Sequence, residues 1–276
     1  MNRHFKKQVW IVLFFLLGSF LTFEYFFDRK IGMGAGEEEK MVKIPAGPFI
    51  MGSDERDGIV GIDVGVDEVP RHQVVLPDYY IDRFEVTIQQ YEGFIQATKH
   101  RVPSEPRFPD YYQWQKGHPP EGQENYPVSY VDFEDASAYC AWRGKRLPTE
   151  EEWEKAARGT DGRKWPWGNV FDPKKCNTDE SQLNWTTTVG SFSGGASPYG
   201  VMDMCGNLAE WTSSWYKPYP GNDLQRTAFG EKFKVIRGGG WTLPAHPFSR
   251  TSHRSYAVRA EKRHRSIGFR CVKEAS

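Results

Sequence analysis

Two carboxylates close a short loop in Asp203-Met-Cys-Gly-Asn-Leu-Ala-Glu210, with a glycine turn between them. Hard cations such as calcium take about six to eight oxygens, and a loop of this kind can supply two carboxylates and the carbonyls between them. The spacing alone is weak evidence, because acids flanking a glycine turn are ordinarily solvated. Cys140, Cys176, Cys205 and Cys271 form the second reactive set. Their wide spacing excludes paired CxxC knuckles and argues against zinc. An even number fits two bridges and leaves three connectivities open. His246 and His253 lie in a stretch rich in Pro and Ser with no carboxylate in a ligand pattern nearby, which disfavours a redox metal on imidazole. The chain has no GxSxG, HExxH, GxxxxGK[ST] or dinucleotide fingerprint. Residues 53–75 mix Asp, Glu and Gly, but Gly61-Ile-Asp-Val-Gly-Val-Asp-Glu68 lacks the order of a calcium-binding EF-hand loop, so this stretch reads as a surface loop.

The elements that must position these groups are brief. Thr87 with Gln90, and Thr149 with Glu152, fit reciprocal helix caps, and Asp132 is a good N-cap with Asp135 in the first turn. Helices are expected over about 88–98, 133–143 and 150–158. The first turns Tyr91, Phe94 and Ile95 to the core, the second Phe133, Ala136, Tyr139 and Cys140, and the third Trp153. Met41 to Gly52 alternates well enough for the first strands. The remainder is short strands and turns, with ten Trp, 27 Gly and 18 Pro in the chain, so aromatic side chains must do packing that long elements would otherwise do. The result is an irregular, loop-rich α+β domain over residues 41–276.

Val9 to Phe27 is an apolar run broken only by Gly, Ser, Thr and Glu24, long enough to cross a bilayer. Arg3, Lys6 and Lys7 precede it uncompensated, so residues 1–8 are expected in the cytoplasm, 9–27 as an uncleaved signal-anchor, 28–40 as a linker, and the domain outside the cytoplasm. In a bacterial envelope that is the inner membrane with the domain in the periplasm, where disulfides persist. The 36 basic and 36 acidic residues balance, which argues against nucleic acid as a partner. Arg250, Arg254, Arg259, Lys262, Arg263 and Arg265, interleaved with Glu261, read as solvated charges that could receive an acidic partner.

Several segments, in order, resemble one family: IPAGPFIMGS, DRFEVT, YPVSYVDFEDASAYCAWRGKRLPTEEEWEKAARG, WPWGN, GNLAEWTSSW, RGGGW and GFRC. Together they cover roughly Met41 to Cys271 and are similar to the formylglycine-generating enzymes, or sulfatase-modifying factors. The resemblance implies that family's C-type-lectin-like fold and a disulfide between Cys140 and Cys271. It also implies a calcium site with Asp203 and Glu210 as side-chain ligands and Gly206 and Leu208 as carbonyl donors. Asp203 stands where better-known enzymes have Asn. A second family calcium site begins at Asn177 and Thr178, and its other ligands fall in a stretch that is shorter here. Cys176 and Cys205 occupy no usual family disulfide position; their pairing is a separate expectation, from the even count and from two ligand-bearing loops lying close.

The family's enzymes bind copper(I) through two cysteines shortly after the Gly-Gly stretch, where this chain reads Thr242-Leu-Pro-Ala-His-Pro-Phe-Ser-Arg250. Thiolate holds such a soft ion, and Leu243, Pro247 and Phe248 cannot replace it, so no copper is expected. The leading expectation is a non-catalytic, membrane-anchored scaffold that binds another protein, such as an accessory subunit of a membrane complex. The alternative is an oxidase or maturation enzyme using the same pocket, lined by Trp241, His246, Arg250, His253 and Arg254. Carbohydrate binding rests on fold analogy alone.

Overall fold

The computed structural model describes residues 41–54, 65–104, 114 and 118–275. The chain divides into Met1–Met41 and a second unit, Val42–Ser276. The expected signal-anchor over 9–27 and linker over 28–40 lie outside the described residues, among which no helix is long and apolar enough to cross a membrane.

The second unit contains three small sheets. Strands β1 (Met41–Ile44), β4 (Tyr79–Asp82) and β9 (Val272–Glu274) form one, in the order β1-β4-β9. Strands β2 (Gly47–Met51) and β3 (His72–Leu76) form an antiparallel pair with Phe49 opposite Val74. Strand β3 therefore occupies part of the stretch expected to be loop. The third sheet has the order β7-β6-β5-β8, from β5 (Ala209–Trp215), β6 (Lys234–Arg237), β7 (Ser255–Val258) and β8 (Ile267–Gly268), with β8 parallel to β5.

Helices α1 (Ile88–Thr98), α2 (Phe133–Trp142) and α3 (Glu150–Arg158) start where their caps require. Each has a full capping box: Thr87 with Gln90, Asp132 with Asp135, and Thr149 with Glu152 exchange side-chain and backbone bonds that satisfy otherwise orphaned amides. Tyr91 and Phe94 of α1 meet Tyr139 of α2 and Phe269, with ring centroids 5.3 to 6.3 Å apart, in the largest core cluster. The Cys140–Cys271 disulfide passes through this cluster, with Cα atoms 5.7 Å apart, and joins α2 to the residue before β9. A second cluster packs Trp153, Ala156 and Ala157 of α3 against Tyr79, Ile81 and Val272.

Between β6 and the last strands lies α4 (Ala245–Phe248), a single short turn. The Gly238-Gly239 pair makes its approach possible. Gly239 has φ of 69°, and a Cβ there would lie 2.0 Å from Ser249 Oγ; Gly238 has φ of 92° and would place one 3.1 Å from the Trp153 ring.

Thr87→Ala removes the side-chain half of the α1 cap while leaving its buried face intact. A stability loss of about 1 kcal/mol is expected, read as a lower urea midpoint at unchanged slope.

Candidate functional site

Helix α3 is the centre of the site, and its charged residues point inward. Glu150, Glu152, Glu154, Lys155 and Arg158 are all at most 5 % exposed. Burying charge this way is costly unless every group is paired and hydrogen-bonded. Glu154 accepts from Arg158 Nη1, from Gly52 N at 2.8 Å and from Arg237 Nη2 at 2.6 Å. Glu150 accepts a two-pronged bond from Arg254, at 2.8 and 2.7 Å, and pairs with Arg237 at 2.8 Å. Lys155 Nζ donates to the carbonyls of Pro45 and Gly47, and Arg158 Nη1 to that of Gly52, so α3 also satisfies backbone along β2.

The vacated segment feeds into the same network. Arg250 donates two bonds of 2.9 Å to Glu68, and His253 Nδ1 lies 3.2 Å from the same carboxylate. Burial alone would raise the Glu68 carboxyl, but the His253 hydrogen bond and the Arg250 charge outweigh it and hold the group at about 2. Arg254 lies over the rings of Tyr216 and Tyr219 at 4.9 and 4.1 Å, and also donates to the carbonyls of Asp67 and Lys217. Two sequence expectations are thereby corrected. Arg250 and Arg254 are each 2 % exposed, not solvated, because acids distant in the chain neutralise them. Asp67 and Glu68 are buried, because Tyr216 and Arg250 hold their side chains and Asn222 holds the neighbouring carbonyls of Val66 and Val69.

The five residues expected to line one pocket separate. Arg250 and His253 converge on Glu68; His246 is exposed on α4. Trp241 lies 5.4 Å from Trp185 with Arg265 over its ring at 5.0 Å, and its buried indole N–H has no acceptor among the described residues. Arg254 borders a cavity of about 480 Å³ on another side, whose walls include His72 and Val74 of β3, Trp215, Pro218 and Tyr219. Nothing in local sequence marked that cavity, since its walls come from segments more than a hundred residues apart.

The expected cation loop is held from both ends. Gly206 has φ of 83° and abuts Asn177 O so closely that a Cβ would lie 2.3 Å from it, while Asn207 N donates to the same oxygen at 2.7 Å. Asn177 Nδ2 donates to Trp185 O, and Thr178 Oγ1 to Glu180. Glu210, however, accepts from Arg270 at 2.6 and 2.7 Å and from Trp153 Nε1 at 2.9 Å. A cation on that carboxylate would share it with a buried guanidinium, so calcium on Asp203, Gly206, Leu208 and Glu210 stays an expectation of the family resemblance. Among the described residues no group of three or more His, Cys, Asp or Glu could hold a metal. Burial pushes the Asp203 carboxyl up to about 6, against the Gly190 hydrogen bond and the Arg270 charge. Burial, then the charges of Asp203 and Glu210, raise Glu85 well above the usual range. Glu85, which sequence reasoning missed, accepts from Asn207 Nδ2 at 2.7 Å and Leu208 N at 3.0 Å and so fixes the Gly-Asn-Leu turn.

Residues 31–275 match the family described as the sulfatase-modifying factor enzyme 1-like domain. The chain belongs to that family. It is 31% identical to inactive C-alpha-formylglycine-generating enzyme 2 of Bos taurus, over 90% of this chain and 92% of the relative. It is 30% identical to the formylglycine-generating enzyme of Mus musculus, over 84% and 74%. Among solved structures, PvdO from Pseudomonas aeruginosa superposes with a TM-score of 0.66 at 29% identity, covering 85% of this chain and 94% of that one. Within this mixed α/β family fold, the chain is a member without the copper-binding cysteine pair, because no cysteine lies between Trp241 and Cys271.

Two measurements test the buried charges. Glu154→Leu leaves Arg158 and Arg237 without their shared carboxylate, and should cost about 3 to 5 kcal/mol in denaturant unfolding. The folded Glu68 carboxyl titrates below its unfolded value of 4.5, so its stabilising contribution is full above pH 4.5 and is lost as pH falls towards about 2. Glu68→Gln should therefore flatten the acid limb of the stability curve across that window. An unchanged slope would show that Glu68 is not held as the geometry describes.

Proposed function

We propose that this chain is a non-catalytic, membrane-held scaffold that binds another protein outside the cytoplasm, as an accessory subunit of an envelope or membrane complex. The observation that carries this reading is the use made of the Thr242–Arg250 segment. Where the family's oxidases place two thiolates, Ala245 and Pro247 are buried as packing, and the cations that follow are committed to Glu68 and Glu150. Those side chains hold the fold together and offer a substrate little chemistry. The likeness to a relative named as inactive, over nine-tenths of both chains, supports the same conclusion. The apolar run from Val9 to Phe27 supplies the anchor in this proposal. The cavity beside β3, with Trp215, Pro218 and Tyr219 in its wall, offers the partner an aromatic surface.

A second reading, an extracytoplasmic oxidase or maturation enzyme, draws support from the similarity to the formylglycine-generating enzyme and from the unpartnered Trp241 indole N–H, which a bound ligand could accept from.

One purification separates the two. The full-length chain, extracted in detergent from cells at native expression and analysed by light scattering and metal analysis, should emerge in a stoichiometric complex without a redox metal. A free monomer would overturn the scaffold reading. Copper or iron retained at near one equivalent after calcium chelation would favour the enzyme.

A further inference from the structure

The neighbourhood of Cys176 and Cys205 lies outside the ion-pair network and packs against Ala245 of the Thr242–Arg250 segment. Each cysteine immediately precedes one half of an isolated parallel bridge, Asn177 with Gly206. The bridge is tight: Asn207 N donates to Asn177 O at 2.7 Å. Adjacent positions on paired parallel backbone lie about 5 Å apart, within the span a disulfide needs. The two side chains, 2 % and 3 % exposed, share one cluster with Trp165 and Ala245. In this structure they are unbonded thiols. The Cys140–Cys271 bond indicates a chain that matures where disulfides form.

We propose that Cys176 and Cys205 form a second disulfide, a covalent clamp between the 176–182 segment and the Asp203–Glu210 loop. In the reaction each thiol gives up its proton, and the pair passes two electrons to the disulfide of an exchange partner, either an oxidoreductase or a small-molecule disulfide. That partner leaves as two thiols while the Cys176–Cys205 bond forms. Because Trp165 and Ala245 cover the finished pair, oxidation belongs to maturation, before that cover closes. The clamp holds two loops that otherwise depend on a few hydrogen bonds, and it lies directly beneath α4, whose Ala245 N donates to both oxygens of Glu180.

The test uses full-length protein isolated without reductant and alkylated under denaturing conditions. Trypsin leaves both cysteines in one peptide, Cys176 to Arg226, because Lys217 precedes a proline. The expected result is that this peptide is unalkylated and two hydrogens lighter than the reduced form, and that cleavage after Glu180 yields two pieces still joined. Alkylation at both positions, a bond from either cysteine to Cys140 or Cys271, or a metal thiolate in native mass spectrometry would each overturn the proposal. Amide exchange gives an independent readout. Cys176→Ser/Cys205→Ser should exchange about tenfold faster than oxidised wild type across 177–182, and no faster than reduced wild type. Equal exchange in the oxidised and reduced wild-type protein would overturn the clamp even if the double variant fails to fold.

Discussion

Compensation of buried charge around α3 is the constraint on which the rest of the molecule depends. Glu154 is shared by Arg158 and Arg237, Glu150 by Arg237 and Arg254, and Arg237 thus couples the two. These pairs bring together β2, α3, β6 and the stretch before β7, beside buried apolar side chains such as Phe49, Trp153 and Val235. An ion pair in such surroundings gains little over well-packed hydrophobic residues, but removing one partner strands the other at high cost. The network thus specifies one arrangement of loops, since alternatives leave a guanidinium or a carboxylate alone in the interior.

Against that background the change in the Thr242–Arg250 segment is conservative in architecture. The Gly238-Gly239 approach to Trp153 and Ser249, the Arg237 pairs and the Arg270–Glu210 pair all remain on either side of it. None of them requires a thiol. The family frame can therefore lose that cysteine pair without losing its shape, because what maintains the shape is ionic and steric and lies outside the Thr242–Arg250 segment.

What the sequence made legible follows the range of the interactions. The three helices were readable because a capping box is complete within four residues: Thr87 with Gln90, Asp132 with Asp135, Thr149 with Glu152. The motif order, from IPAGPFIMGS to GFRC, conveyed the family and with it the Cys140–Cys271 pairing. Trp153 was legible as the inward residue of α3, but the burial of its charged side chains was not, since EEEWEKAAR otherwise has the composition of a solvated helix and its partners Arg237 and Arg254 lie 83 and 104 positions away. Arg250 and Arg254 looked like surface charge for the same reason. The far side of the cation loop was illegible, because the guanidinium on Glu210 comes from Arg270, inside a motif that served only to recognise the fold.

The Cys140–Cys271 bond also bears on how the protein survives damage. It joins residues 131 positions apart, so almost half the chain, including the cavity wall at 214–220 and the whole Thr242–Arg250 segment, lies inside one covalent ring. A protease that nicks any single loop within that ring opens it without releasing a fragment. The severed ends stay tethered through α2 and β9, and the cut chain keeps both halves of its interior at the high local concentration that reassembly needs.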